Sequence, residues 1–255
     1  MITNPYGLRT LFMKEVMRFV KVWGQTVLAP VVTTFLYLAI FSLAWPGRSS
    51  PFAGIDYLTF MIPGLVMMAI IQNGFANPSS SIIQSKVMNN FTDLLMVPLS
   101  ATEIATAYLG AGVARALAVG GIVYVTALPF VPLPVAHPLL AFYYAAISAA
   151  VVALTGTLTG LWAQKFDHLA VVNNFIVLPC SFLSGIFFST LALPGAWGTA
   201  VRFNPFFYMV DGFRYAFLDA SDAPIAAGAL ALALVTAALF ALTVAMIHRG
   251  WRVKS

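Results

Sequence analysis

The amino-acid sequence predicts an all-α polytopic membrane protein with six spanning helices. Three observations carry this. Only 8% of the 255 residues are charged and 61% are hydrophobic, whereas a soluble domain carries about 25% charged residues. The mean hydropathy is +0.92, which also excludes a disordered chain, since disorder needs low hydrophobicity and high charge. The charges leave between them apolar runs of the length, about 20 residues, that a bilayer crossing requires. A β-barrel is excluded, because its strands alternate polar and apolar residues in segments of about ten. One cysteine, Cys180, rules out a disulfide framework and a cysteine-based metal site.

The chain reads as a single membrane domain over 1–255. Residues 6–21 have helical periodicity. Leu8, Phe12, Val16, Phe19 and Trp23 form an apolar stripe, and Lys14, Arg18 and Lys21 a basic one. Such a helix lies in the membrane interface. It serves as a plain surface anchor or as a connecting helix that also touches a partner. The first span follows at 22–44 and the second at 57–77, both free of formal charge.

Next comes 86–97, in which Met88, Phe91, Leu94 and Leu95 share one face of a short helix ended by Pro98. This helix rests on the bilayer or forms a rigid knob that fits a groove on another protein. Ser100-Ala-Thr-Glu103 is a capping box that starts the third span, 102–130. Prolines 129, 132, 134 and 138 then separate the third span from the fourth, 139–163. The fifth, 169–190, is bent or interrupted at Pro179. An aromatic, half-polar segment over 191–222 suits short helices dipping into the outer interface. Within it Asp211 and Arg214 stand three apart, a spacing that allows pairing on a helix. Asp211, Asp219 and Asp222 mark water contact there. The sixth span is 225–247.

Six spans put both termini on one side. Nine Lys and Arg gather on that side: Arg9, Lys14, Arg18, Lys21, Lys86, Lys165, Arg249, Arg252 and Lys254. The other side has Arg48, Arg202 and Arg214. The positive-inside rule therefore places both termini in the cytoplasm. The net charge of +5 is topological and does not indicate a nucleic-acid partner. The first apolar stretch is too long for a signal-peptide core and reads as an uncleaved anchor.

Apart from the capping Glu103, Arg115 is the one formal charge inside a span, and by default a functional residue. It either reaches an interface or neighbouring helix, or faces a path. Gln72, Asn73, Asn77, Asn173 and Asn174 either bond between helices or line a pore. The Gly156-xxx-Gly160 spacing allows close helix approach.

Several chemistries lack their residues. There is no phosphate-binding loop of the G-x-x-x-x-G-K-[ST] type, and His137, His168 and His248 are scattered. Beyond the Glu103 cap at the start of the third, the spans hold no carboxylate for a proton or sodium relay. This weighs against the two rival classes, a lipid-modifying membrane enzyme and an ion-coupled carrier. A membrane body without its own energy source, carrying a knob, points to an engine on another polypeptide.

Five stretches together carry a family resemblance. They are Phe60-Met-Ile-Pro-Gly-Leu-Val-Met-Met68, Phe91-Thr-Asp-Leu-Leu-Met-Val-Pro98, Gly112-Val-Ala-Arg115, Leu178-Pro-Cys-Ser-Phe-Leu-Ser-Gly-Ile-Phe-Phe188, and Asn204-Pro-Phe-Phe-Tyr208 followed by Arg214. With these the chain resembles, over its whole length, the permease subunit of type-2 ATP-binding-cassette (ABC-2) exporters of the bacterial inner membrane. The resemblance implies a homodimer of two such subunits and a separate ATPase subunit that holds the ATP and magnesium, leaving this chain without cofactor or catalytic residue. It implies that 86–97 is a coupling helix, with Asn89, Asn90, Phe91, Thr92, Asp93 and Leu94 meeting the ATPase. It implies that 191–222 forms an outer re-entrant gate shaped by Phe207, Tyr208, Asp211 and Arg214. The cargo implied is an amphipathic, lipid-linked or polysaccharide-type substrate or a drug.

Overall fold

A computed structural model describes residues 4–44, 52, 54–131, 133–190, 193 and 195–250. The charges Arg48, Arg252 and Lys254, and parts of the 191–222 segment, lie outside the described residues. Among the described residues about 81% are helical and none forms a strand. Eleven helices are described, and five of them are long and apolar enough to cross a membrane: α2 (Trp23–Ala44), α3 (Tyr57–Val87), α5 (Ala101–Ala127), α6 (Pro138–Trp162) and α11 (Ile225–His248).

α3 is the central helix, buried over most of its length. At about 1.5 Å per residue its 31 residues reach about 46 Å, beyond a hydrocarbon core of about 30 Å. The helix therefore continues ten residues past the expected end at 77. Its polar continuation is supported locally and by packing. The Ser79 and Ser80 hydroxyls donate to the carbonyls of Phe75 and Ala76, and Ile82 and Ile83 are fully buried.

α6 packs along α3 through small residues. A Cβ on Gly156 would come 2.3 Å from the Phe75 carbonyl oxygen, and one on Gly160 would come 2.9 Å from Ile82 Cβ. The glycine spacing seen in the sequence is thus the seam between these two helices. α2 and α11 lie at the periphery, with Leu28, Leu36, Leu230 and Leu234 exposed. Side chains of this kind face lipid at no cost.

α1 (Pro5–Lys21) precedes α2, and the short α4 (Phe91–Met96) links α3 to α5. The capping box is formed: Ser100 Oγ accepts from the Glu103 N–H, and Glu103 Oε2 accepts from the Ser100 N–H.

Where the fifth span is expected, the chain forms α7 (Phe166–Val172), a π-helical turn (Asn173–Val177) and α8 (Leu178–Phe182). Pro179 has no N–H and clashes with the carbonyl four residues back, and the wider turn just before it absorbs the fault. The apolar helix is only 17 residues long. The outer segment holds α9 (Ala196–Arg202) and α10 (Pro205–Leu218), the latter capped by Asn204.

Candidate functional site

At the basic end, α4 sits as a projection between α3 and α5. Phe91 is buried, 3% exposed, and packs with Ile82, Ile104, Tyr108 and Leu161. Leu94 packs on the same cluster. The Phe91 ring also lies under the Lys86 ammonium, 5.9 Å from the centroid. Lys86 in turn donates to the last carbonyls of α6, Leu161 and Ala163. The projection is thereby fixed to three helices. Its outward residues are Met88, Asn89, Asn90 and Met96. Asn89 takes the left-handed conformation, φ 58°, that turns the chain out of α3. The side chains of Thr92 and Asp93 lie outside the described residues. Of the six residues assigned to coupling, the structure thus turns Asn89 and Asn90 outward and Phe91 inward as an anchor.

α1 is joined to this region at two points. The Asn4 N–H donates to Glu103 Oε1 over 2.6 Å, so the cap of α5 also holds the start of α1. Farther along, Arg18 turns inward. It donates to Asn77 Oδ1 (3.1 Å), the Asn77 carbonyl, Ser80 Oγ (3.2 Å) and Glu15 Oε2 (3.3 Å). Glu15 is fully buried. The packed face of α1 thus includes Leu11 and Glu15, and Arg18 belongs to it and not to a solvent-facing basic stripe. The periodicity of apolar residues alone does not reveal this, because the partners lie on α3.

One turn along α3 from Asn77, Asn73 Oδ1 accepts from Arg115 Nε (3.3 Å) and Nη2 (3.2 Å). Asn73 Nδ2 donates to the Ala69 carbonyl. Arg115 thus ties α5 to α3. Asn73 also lines a cavity of about 310 Å³ between α2, α3 and the π-helical turn. Gln25, Thr33, Thr34, Gln72 and Asn173 give this cavity uncharged polar walls. Of these amides, Asn73 both bonds between helices and lines the cavity.

At the other end, α10 presents Asp211 and Arg214, which do not pair. Arg214 is 1% exposed, and its Nη2 donates to the Gly185 carbonyl over 2.6 Å. Its guanidinium lies over the Phe60 ring. Asp211, 2% exposed, accepts from the backbone N–H groups of Asp222 (2.8 Å) and Ala223 (3.1 Å). Tertiary backbone partners have displaced the local three-residue pairing, and Asp211 is not a water-facing group. Asp222 accepts from Ser189 Oγ and the Thr190 N–H, each over 2.6 Å. The segment before α9 is thus clasped to α10 and to the start of α11.

Phe207 is buried and meets Tyr208 edge-on at 5.1 Å, and Tyr208 is half-buried against Gly228. Asp219 ends α10 and receives His137 Nε2 at 3.1 Å. That bond, and a second from Tyr215, hold the Asp219 carboxyl below its ordinary value. Sequence reasoning passed over Phe60, Lys86 and Arg18 as parts of these joints, and treated Asp222 only as a mark of water contact. Their signals are a single apolar residue and isolated charges without a local partner.

No group of residues suited to hold a metal is found among the described residues.

Comparison with known proteins agrees with this architecture. The family model described as ABC-2 type transporter matches residues 6–218. The inner membrane transport permease YadH of Escherichia coli strain K12 is 35% identical over 249 residues, covering 98% of this chain and 97% of that protein. The same protein in Escherichia coli O157:H7 and in Shigella flexneri matches to the same extent. A match of this length embraces α1, the projecting α4, the amide cavity and the clasped outer segment together, and on it the chain belongs to the ABC-2 type transporter family.

Proposed function

We propose that this chain is the permease subunit of an ATP-driven exporter in a bacterial inner membrane. Two copies form the membrane body, and each docks a separate ATPase subunit that binds ATP and magnesium. Both termini lie in the cytoplasm, where the positive-inside rule puts the basic end. The cargo is an amphipathic, lipid-linked or polysaccharide-type molecule or a drug. The observation that carries this reading is the α4 projection. It is braced on α3, α5 and α6 and turns Met88, Asn89, Asn90 and Met96 outward, in a chain without a phosphate-binding loop. A rigid element of this kind passes motion from a partner into the spans. The similarity to proteins named transport permeases supports it.

Under this reading the 191–222 segment, which holds α10, forms the outer gate, shaped by Phe207, Tyr208, Asp211 and Arg214. The test is purification of this chain from its native membrane with identification of any cassette ATPase that comes with it. The wild-type complex is expected to purify intact and to hydrolyse ATP in proportion to transport. Met96→Asp is expected to release the ATPase while the chain stays folded. Transport driven by an ion gradient without ATP, or activity of the purified chain alone on lipid, would overturn the reading.

A further inference from the structure

The geometry points to a phosphate group, free or on an amphiphile, held by Arg115 beside Asn73, which also lines the amide cavity. Arg115 lies fourteen residues after the start of α5 at Ala101, which is about 21 Å along the helix. It is half-buried. A guanidinium carries five N–H donors in a fixed fork and stays charged in a protein. Here one from Nε and one from Nη2 both go to a single oxygen, Asn73 Oδ1. The remaining three meet no acceptor among the described residues. In a spanning segment water does not serve them as it would at a soluble surface.

The charge is equally unmet. Among the described residues no carboxylate pairs with Arg115. Glu15, the buried carboxylate of this region, is engaged by Arg18 and lies 3.9 Å from Lys14. Arg18, the neighbouring cation, has its own acceptors on Asn77 and Ser80 and leaves the open donors to Arg115.

An anion with several oxygens answers both needs, and arginine matches phosphate through paired N–H groups. The surroundings suit an amphiphile. Asn73 is shared with the cavity, whose wall passes from Gln25 and Gln72 to Leu65 and Met68. The adjoining α2 exposes Leu28, Val32 and Leu36, a surface for acyl chains. The occupant is a resident phospholipid, a transported one, or free phosphate. All share the chemistry that Arg115 recognises. The binding itself needs no ATPase, and only transport of the occupant rests on the exporter reading.

The test uses the full chain in nanodiscs of digalactosyl diacylglycerol, a host without phosphate, doped with dioleoyl phosphatidylglycerol. Native mass spectrometry of the wild type is expected to retain phosphatidylglycerol about tenfold above its share of the disc. Arg115→Gln is expected to lose that preference, and Arg115→Lys to keep part of it. A second arm adds inorganic phosphate to undoped discs. Protection from thermal unfolding there that depends on Arg115 supports the site and assigns its occupant to free phosphate. A wild type that shows neither lipid preference nor phosphate protection overturns the proposal, and needs no variant to fold. So does an Arg115→Gln protein that keeps the full preference. ATPase co-purification is read separately, so failure of one proposal leaves the other standing.

Discussion

The guanidinium of Arg214 lies over the ring of Phe60, 3.9 Å from its centroid. One residue belongs to the outer helix α10 and the other to the first turn of the central helix α3. Both are almost wholly buried. Because Arg214 also donates to the Gly185 carbonyl, three parts of the outer end meet at one side chain.

Arg214→Ala should therefore leave that carbonyl without its donor and remove the stacked cation. A loss of about 3 kcal/mol is expected. Thermal unfolding in detergent checks it. Arg214→Lys should recover only part of the loss, since an ammonium neither stacks nor forks. A full recovery would show that charge alone matters at this position.

The α3–α6 seam gives a sharper contrast. Gly156→Ala sets a methyl 2.3 Å from a backbone oxygen that has no freedom to rotate away. The expected cost is about 3 kcal/mol, seen as a lowered unfolding temperature and lower yield. Gly121 on α5 has open space around its missing Cβ. Gly121→Ala should be neutral or gain up to ~1 kcal/mol from helix propensity.

Phe91 and Met96 should separate folding from docking. Phe91→Ala empties a buried site and should cost about 3 kcal/mol. Met96 is 84% exposed, so Met96→Ala should change stability by no more than about 0.5 kcal/mol. It should instead weaken retention of the ATPase, measured by pull-down. Equal unfolding temperatures for the two variants would contradict the inward placement of Phe91.

Asp222 secures the Thr190 N–H and the Ser189 hydroxyl. Asp222→Ala should raise hydrogen exchange at the Thr190 amide about tenfold or more, because hydrogen bonds to charged groups contribute about 1.5–3 kcal/mol. Asp222→Asn should give an intermediate rate. The effect should be confined to the 183–190 segment and α10, since α4 lies at the opposite end.

The all-α membrane character was legible from composition and charge spacing, because hydropathy acts residue by residue. The start of α5 was legible for the same reason: Ser100 and Glu103 cap a helix through contacts three residues apart. What escaped was long-range. Asp211 and Arg214 invite pairing by spacing, yet each finds backbone partners 11 to 29 residues away that a local pattern does not encode. Arg18 escaped likewise, since its acceptors lie 59 and 62 residues on. The length of α3 was hidden by Pro78 and three serines, which in isolation argue for an ending. Packing against α6 overrides them.

The two attachments of α1 have a mechanical meaning. Asn4 pins it to the cap of α5, and Arg18 pins it to α3 near Pro78. α3 and α5 are themselves in contact along their length. Three rods joined in this way make a braced triangle, and a triangle does not shear. If α4 receives a push from a partner, as proposed, the frame would turn as a unit, with the angle between α3 and α5 kept. Deformation would then fall to the parts outside the frame, the peripheral α2 and the 166–182 helix interrupted by its π-helical turn.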